Sequence, residues 1–170
     1  MSQIKDGWKG RFFEDFAVGD IYRCRYGRTV TEADNIQFTL LTNNTNQLHF
    51  NRDYAARTDF GQCLVNSALT LSIIAGMGVA DVSENGFALG WDEIVLPNPV
   101  FAGDTLYSES EVIDVRASKS NPRRGIVKVE TRGYKQDGTL VIKYRRSVMV
   151  WKQAEAPSVD LFPQVKSTEA

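Results

Sequence analysis

The 170-residue chain holds one histidine and two cysteines, and that scarcity excludes a good deal. Structural and catalytic zinc sites draw several ligands from these residue types at short spacing. Cys24 and Cys63 stand far apart in unlike contexts and form no CxxC unit. They read as reduced thiols of a cytoplasmic protein, with no metal and no cofactor expected. A long hydrophobic run is also missing. The most apolar stretch, Leu64 to Ala80, is interrupted by Asn66, Ser67, Thr70 and Ser72. That is too polar for a membrane span and reads as a buried helix. The opening residues, MSQIKDGWKGRFFEDF, lack the uninterrupted apolar segment of a secretory signal. Charge of one sign is lacking as well. Lys and Arg total 20 against 21 Asp and Glu, for a net charge of −1. A binder of nucleic-acid backbone needs a basic face, so neither nucleic acid nor membrane is expected as a partner. A small anionic ligand on a local basic patch stays open.

What is present is an ordinary globular composition, 42% hydrophobic and 24% charged, with enough length for one domain. Residues 1–18 read as an N-terminal arm made adhesive by Trp8, Phe12, Phe13 and Phe16. Residues 19–152 form the body. Residues 153–170, with Pro157 and Pro163, form a weakly ordered tail. Within the body, 20–29 reads as a first strand. Thr31 is a plausible N-cap for a helix with Glu32 and Asp34 in its first turn, ending at Thr42, Asn43 and Asn44. One or two helical turns fall in 53–57, and the apolar helix starts near Val65. Strands follow at 87–96, 104–115, 126–134 and 139–151. Asp137-Gly138 marks the last hairpin. One strand, a helical middle and four antiparallel strands define the α+β class. The helix, apolar nearly all round, needs enclosing, and a curved sheet wrapped about it supplies that.

His49 ends the polar run Thr-Asn-Asn-Thr-Asn-Gln-Leu-His at 42–49. Imidazole exchanges protons near neutral pH, and a polar loop between helices is more often functional than structural. Asn44 and Asn46 can orient a water or the ring but cannot act as bases. A turn-capping role for His49 competes with the catalytic one. Asn66 and Ser67 fall at the start of the apolar helix. There, backbone N–H groups lack intrahelical partners and can hold a developing oxyanion. A simple N-cap role for Ser67 is compatible with that.

The run LTNNTNQLHFNRDYAARTDFG, Leu41 to Gly61, resembles the motif S-G-D-x-N-P-x-H-x-D-x-x-Y-A of the MaoC-like, hot-dog-fold enoyl-CoA hydratases. PVFAGDTL, Pro99 to Leu106, resembles the family's strand entry P-V-x-x-G-D-T-L. The similarity covers about residues 11–152. The runs TNNTNQLHF and LVNS further resemble the subgroup acting on branched dicarboxylic acyl-CoAs, of the mesaconyl-CoA and β-methylmalyl-CoA type. The resemblance implies a single hot-dog fold. It also implies reversible hydration of an α,β-unsaturated acyl-CoA and at least a homodimer. The family's catalytic Asp and His stand five positions apart. His49 matches the His, but Asn44 occupies the Asp position. The family's Asn is kept as Asn46, Gln47 replaces its Pro, and Ser67 falls at the oxyanion glycine.

The substitution matters because an amide takes no proton from water, and general acid–base help is worth about 10²–10⁴ in rate. Three readings follow. His49 does both transfers while Asn44 places the water. A carboxylate elsewhere, Asp34, Asp59 or Asp92, substitutes. Or the protein binds acyl-CoA without converting it. A thioesterase on the same fold is a further alternative, opposed by the lack of an acid between Leu64 and Ala80. Lys119, Arg123 and Arg124, in the turn KSNPRRG, could contact CoA phosphates. Arg57, Arg145 and Arg146 are candidates for a second substrate carboxylate by charge alone.

Overall fold

The computed structural model describes residues 3–5, 7–158 and 162–163. Residues 159–161 and 164–170 of the expected tail lie outside them.

The sheet is antiparallel throughout and has six strands. Two are short, β1 (Ile21–Arg23) and β2 (Arg28–Thr29). Four are long, β3 (Gly86–Val95), β4 (Thr105–Ala117), β5 (Arg124–Lys135) and β6 (Leu140–Trp151). Their order is β1-β4-β5-β6-β3, with β2 also on β4. The expected single first strand is therefore two. Arg23 pairs with Glu109 and Arg28 with Leu106. More residues separate the pair on this segment than on β4, so the excess bulges out at 24–27. The β5–β6 hairpin forms at the Asp137-Gly138 signal, with Gly138 at φ 85°, a conformation that costs a glycine little.

Helix α1 (Glu32–Leu41) starts where the sequence signals it. Thr31 and Asp34 form a reciprocal capping box. A short helix α2 (Arg52–Ala55) follows the histidine loop. Helix α3 (Ser67–Met77) lies against the sheet and continues into a π-helical turn at Val79–Ser83. Its cap is Asn66, whose side chain accepts from the Ala68 N–H, so Ser67 is the first helical residue rather than the cap. Enclosure of α3 is one-sided. Leu69, Ile74 and Met77 join a core with Leu106, Val141, Ile142 and Tyr144, while Ala68, Ser72 and Gly76 face outward. A second core gathers Phe16, Val82, Val112, Val127, Val129, Val148 and Val150.

The N-terminal arm packs on this body as its aromatics suggest. Phe16 is buried, the Phe13 ring lies where a Gly125 side chain would stand, and Trp8 Nε1 donates to Ala80 O at 3.0 Å.

Candidate active site

Asparagine side chains hold the backbone of the second half of the 42–49 loop. Asn44 Oδ1 accepts from the Asn46 N–H at 3.0 Å, and Asn46 Oδ1 accepts from the Leu48 N–H at 3.1 Å. These local bonds are the reason asparagine favours turns. They drive the chain into a 3₁₀ turn at Gln47–His49. The turn places His49 in the interior, 7% exposed.

Its imidazole is anchored rather than free. His49 Nδ1 lies 2.8 Å from Leu64 O. A carbonyl oxygen only accepts, so Nδ1 carries the proton and Nε2 keeps its lone pair. The Leu64 N–H in turn donates to Leu48 O at 3.2 Å. The segment entering α3 is thus stitched to the histidine loop. Asn35, from α1, completes the junction. Its Nδ2 donates to His49 O at 2.8 Å and to Leu64 O at 3.1 Å, and its Oδ1 accepts from the Asn66 N–H at 2.8 Å. Asn66 Nδ2 donates to Thr39 Oγ1 at 3.3 Å. Asn35, Thr39 and Asn66 are all buried.

Three residues after the Leu64 carbonyl stands Ser67, exposed, at the first position of α3. Its N–H has no acceptor within the helix. Beside it opens a cleft of about 330 Å³ between Phe60, Leu64, Val65 and Thr70 on one side and Leu96 to Val100 on the other. No wall residue of the cleft is charged, and His49 borders it only through Leu64.

The structure therefore ties the His49 loop to Asn66 at the start of α3, with Asn46 in the turn before the ring and Ser67 next along the helix, and it adds Asn35 and Thr39, which sequence reasoning passed over. The signal for those two was a polar pair at i and i+4 in a helix otherwise read for its capped start and its polar end. It does not bring Asn44 against the imidazole. The Asn44 carbonyl oxygen is used by the loop, and its Nδ2 has no protein acceptor among the described residues. No substitute carboxylate appears among the described residues either. Asp34 is engaged by Thr31 and Arg28. Those hydrogen bonds, Thr31's first, hold its carboxyl below the usual range despite partial burial. Asp92 pairs with Lys128 at 3.4 Å, and Asp59 is exposed.

The basic candidates scatter. Arg57 pairs with Asp53 at 2.5 Å on the surface, and Arg145 bridges Glu93 and Glu130. Arg146 is 4% exposed, has no carboxylate partner among the described residues, and approaches the C-terminal end of α3 at Gly78. Lys119, Arg123 and Arg124 sit at the β4–β5 turn. Arg124 stacks over Trp151 at 3.6 Å and Arg123 over the same ring at 5.3 Å. This turn borders a larger cleft of about 700 Å³ against the arm, which contains none of the His49 cluster.

A histidine loop folded over the N-terminus of a helix in the hollow of an antiparallel sheet defines a class, the hot-dog domain of MaoC type. A putative MaoC-domain dehydratase from Chloroflexus aurantiacus superposes with a TM-score of 0.83 at 31% identity, covering 96% of this chain and 47% of that one. A Mycobacterium tuberculosis protein described as a double hot-dog fold superposes with a TM-score of 0.77 at 21% identity, over 91% of this chain and 47% of that one, and speaks for the fold alone. The chain belongs to the mesaconyl-CoA hydratase family, whose profile matches residues 2–160. The mesaconyl-CoA hydratase of Haloarcula marismortui is 35% identical over 150 residues, which is 87% of this chain and 42% of that protein. The chain thus spans less than half the length of such relatives. No helix among the described residues is long and apolar enough to cross a membrane.

Proposed function

We propose that this protein reversibly adds water across the α,β double bond of an acyl-CoA thioester, with a branched dicarboxylic acyl group as in mesaconyl-CoA. The observation that carries the reading is the His49 ring, which is fixed through Nδ1 on Leu64 O and so leaves Nε2 to act as a base. That carbonyl stands three residues along the chain from Ser67 at the start of α3. In the hydration direction Nε2 takes a proton from water while the hydroxide oxygen bonds to the β-carbon. The π electrons move toward the thioester, and charge gathers on its carbonyl oxygen. The Ser67 N–H receives that charge, a contribution of about 3–4 kcal/mol for one such donor. The imidazolium then returns its proton to the α-carbon. Atoms balance and no oxidation state changes, so the reading calls for no cofactor. Asn44 contributes as a water-placing amide through its Nδ2 and not as a base.

His49→Ala, assayed with mesaconyl-CoA and with an unbranched enoyl-CoA, is expected to lose at least 10²-fold in kcat, the lower range of general acid–base help. Undiminished hydration sinks the reading. Release of free CoA thiol in place of hydrated product would select the thioesterase alternative. That alternative is opposed by α3, which carries no acid.

Two copies form the working unit in this reading, in the cytoplasm, where Cys24 and Cys63 stay unpaired. Strand β3 has one neighbour, β6, and leaves Phe87, Leu89, Trp91, Ile94 and Val95 41–48% exposed. An open apolar edge invites strand pairing. The relatives' greater length, this chain spanning 42% of the Haloarcula marismortui protein, supports a second copy filling that place. The uncharged cleft also needs a cation from elsewhere to hold a second carboxylate.

A further inference from the structure

We propose that Asn35 is a positioning residue that locks the proton-carrying ring of His49 and the oxyanion end of α3 into one rigid unit. The inference rests on the hydratase reading of His49 and Ser67 and adds a residue to it.

The first argument is what Asn35 touches. Its planar amide makes three bonds, two donated by Nδ2 and one accepted by Oδ1. One partner is the main chain of His49. The second, Leu64 O, is the oxygen that also receives His49 Nδ1. The third, the Asn66 N–H, belongs to the cap residue immediately before Ser67. A single flat group of fixed dimensions therefore spans the base and the amide that is to hold the oxyanion. Neither can shift without breaking a bond to the other's neighbour. Catalysis by such pairs depends on pre-set geometry more than on bond strength.

The second argument is what α1 does not do. An ordinary surface helix buries an apolar stripe. The only buried residues of α1 are Asn35 and Thr39, one turn apart on the same face. Leu40 and Leu41 point outward, 56% and 83% exposed. Phe38 alone of α1 packs its ring on the core, and both of the helix's fully buried side chains are polar and bond to the histidine loop or the start of α3. A helix serving only as packing would place hydrocarbon there, since a buried amide that loses a partner is left with an uncompensated desolvation cost.

His49 is the sole histidine, so its ring nitrogens give one set of signals in a protein carrying ¹⁵N-labelled histidine. In the wild type the neutral ring is expected as the single Nδ1–H tautomer. Asn35→Asp and Asn35→Ser are expected to admit the Nε2–H tautomer and to lower kcat at least tenfold with KM within threefold. Thr39→Val keeps the shape of the side chain and touches only the Asn66 bond. It is expected to lower kcat severalfold and leave the tautomer unchanged, so the proposal remains exposed even where the Asn35 variants fold poorly. Variants that melt earlier yet keep one tautomer and full kcat would overturn the proposal, leaving Asn35 as scaffold. Unchanged kcat in Thr39→Val would overturn the link to the helix start. The tautomer signal needs no turnover. If wild-type protein fails to hydrate any enoyl-CoA while the tautomer still depends on Asn35, the hydratase reading falls and the positioning role stands.

Discussion

Asn44 and Arg146 look alike in sequence, each a polar residue with a plausible catalytic or binding task, and the fold separates them. Asn44 lies in the His49 loop, its oxygen committed to the Asn46 N–H and its nitrogen available. Asn44→Asp keeps the turn, because a carboxylate accepts that bond as well. It also adds a carboxylate base to the loop that carries His49. The expected result is a melting temperature within a few degrees of wild type and a redrawn acid side of the kcat/KM–pH profile. A profile that superimposes on the wild type would show that Asn44 does not face the reacting water. Arg146 lies under the far end of α3, roughly 16 Å of helix from Ser67 at 1.5 Å per residue. Its Nε is buried without a partner, and burial draws the guanidinium pKa below its ordinary value. A buried charge carries a desolvation cost that well-packed hydrocarbon of similar size does not. Arg146→Met is therefore expected to melt no earlier than wild type, by scanning calorimetry, and to leave KM for mesaconyl-CoA unchanged. A several-fold rise in KM would restore Arg146 as a carboxylate contact.

Elements in this chain are specified mostly by local rules, with α1 the clearest case. Thr31 Oγ1 accepts from the Asp34 N–H, and Asp34 Oδ2 accepts from both Thr31 N and Thr31 Oγ1. Loss of such a cap costs about 1 kcal/mol, so Thr31→Ala is expected to lose about that much in urea unfolding at neutral pH. The pH dependence follows from the depressed Asp34 pKa. A carboxyl held below its unfolded value adds stability above that value, about 3.9 for Asp. The gain is lost as pH falls through the folded value. The difference between Thr31→Ala and wild type should therefore narrow below about pH 4. A gap that stays constant into acid would show that the carboxylate adds nothing to the cap. How α1 is used is another matter. Its capping could be read from Thr31, Glu32 and Asp34, whereas its buried polar face could not. Its apolar Leu40 and Leu41 are exposed, while Asn35 and Thr39 turn inward to bond with the histidine loop and the start of α3.

At the scale of the whole molecule, the open edge is the feature with the largest consequence. The exposed side chains of β3 include Phe87, Leu89 and Trp91, and their burial in a partner would be worth about 25 cal/mol per Å² of apolar surface. Trp91→Arg places a charge on that strand. Sedimentation velocity is expected to show a dimer for wild type and a shift toward monomer for the variant. Activity should fall along with the dimer if the second copy completes the site. A wild-type monomer with full hydratase activity would remove the partner from the mechanism.

The sequence by itself determined the α+β class, the position of the four long strands, the capped start of α1 and the hairpin at Asp137-Gly138, because each depends on residues a few positions apart. It also brought His49 and Ser67 to notice, through the polar loop and a helix start. Tertiary structure decided what those residues touch. It broke the first strand in two, moved the cap of α3 from Ser67 to Asn66, and left one side of that helix open. It engaged Asp34 and Asp92 away from the histidine, and it introduced Asn35 as the hub of the junction. The physical reason is range. Turns and caps are closed by bonds within a few residues, whereas the bonds from Asn35 to His49, Leu64 and Asn66 cross 14 to 31 positions and exist only once three separate segments have packed together.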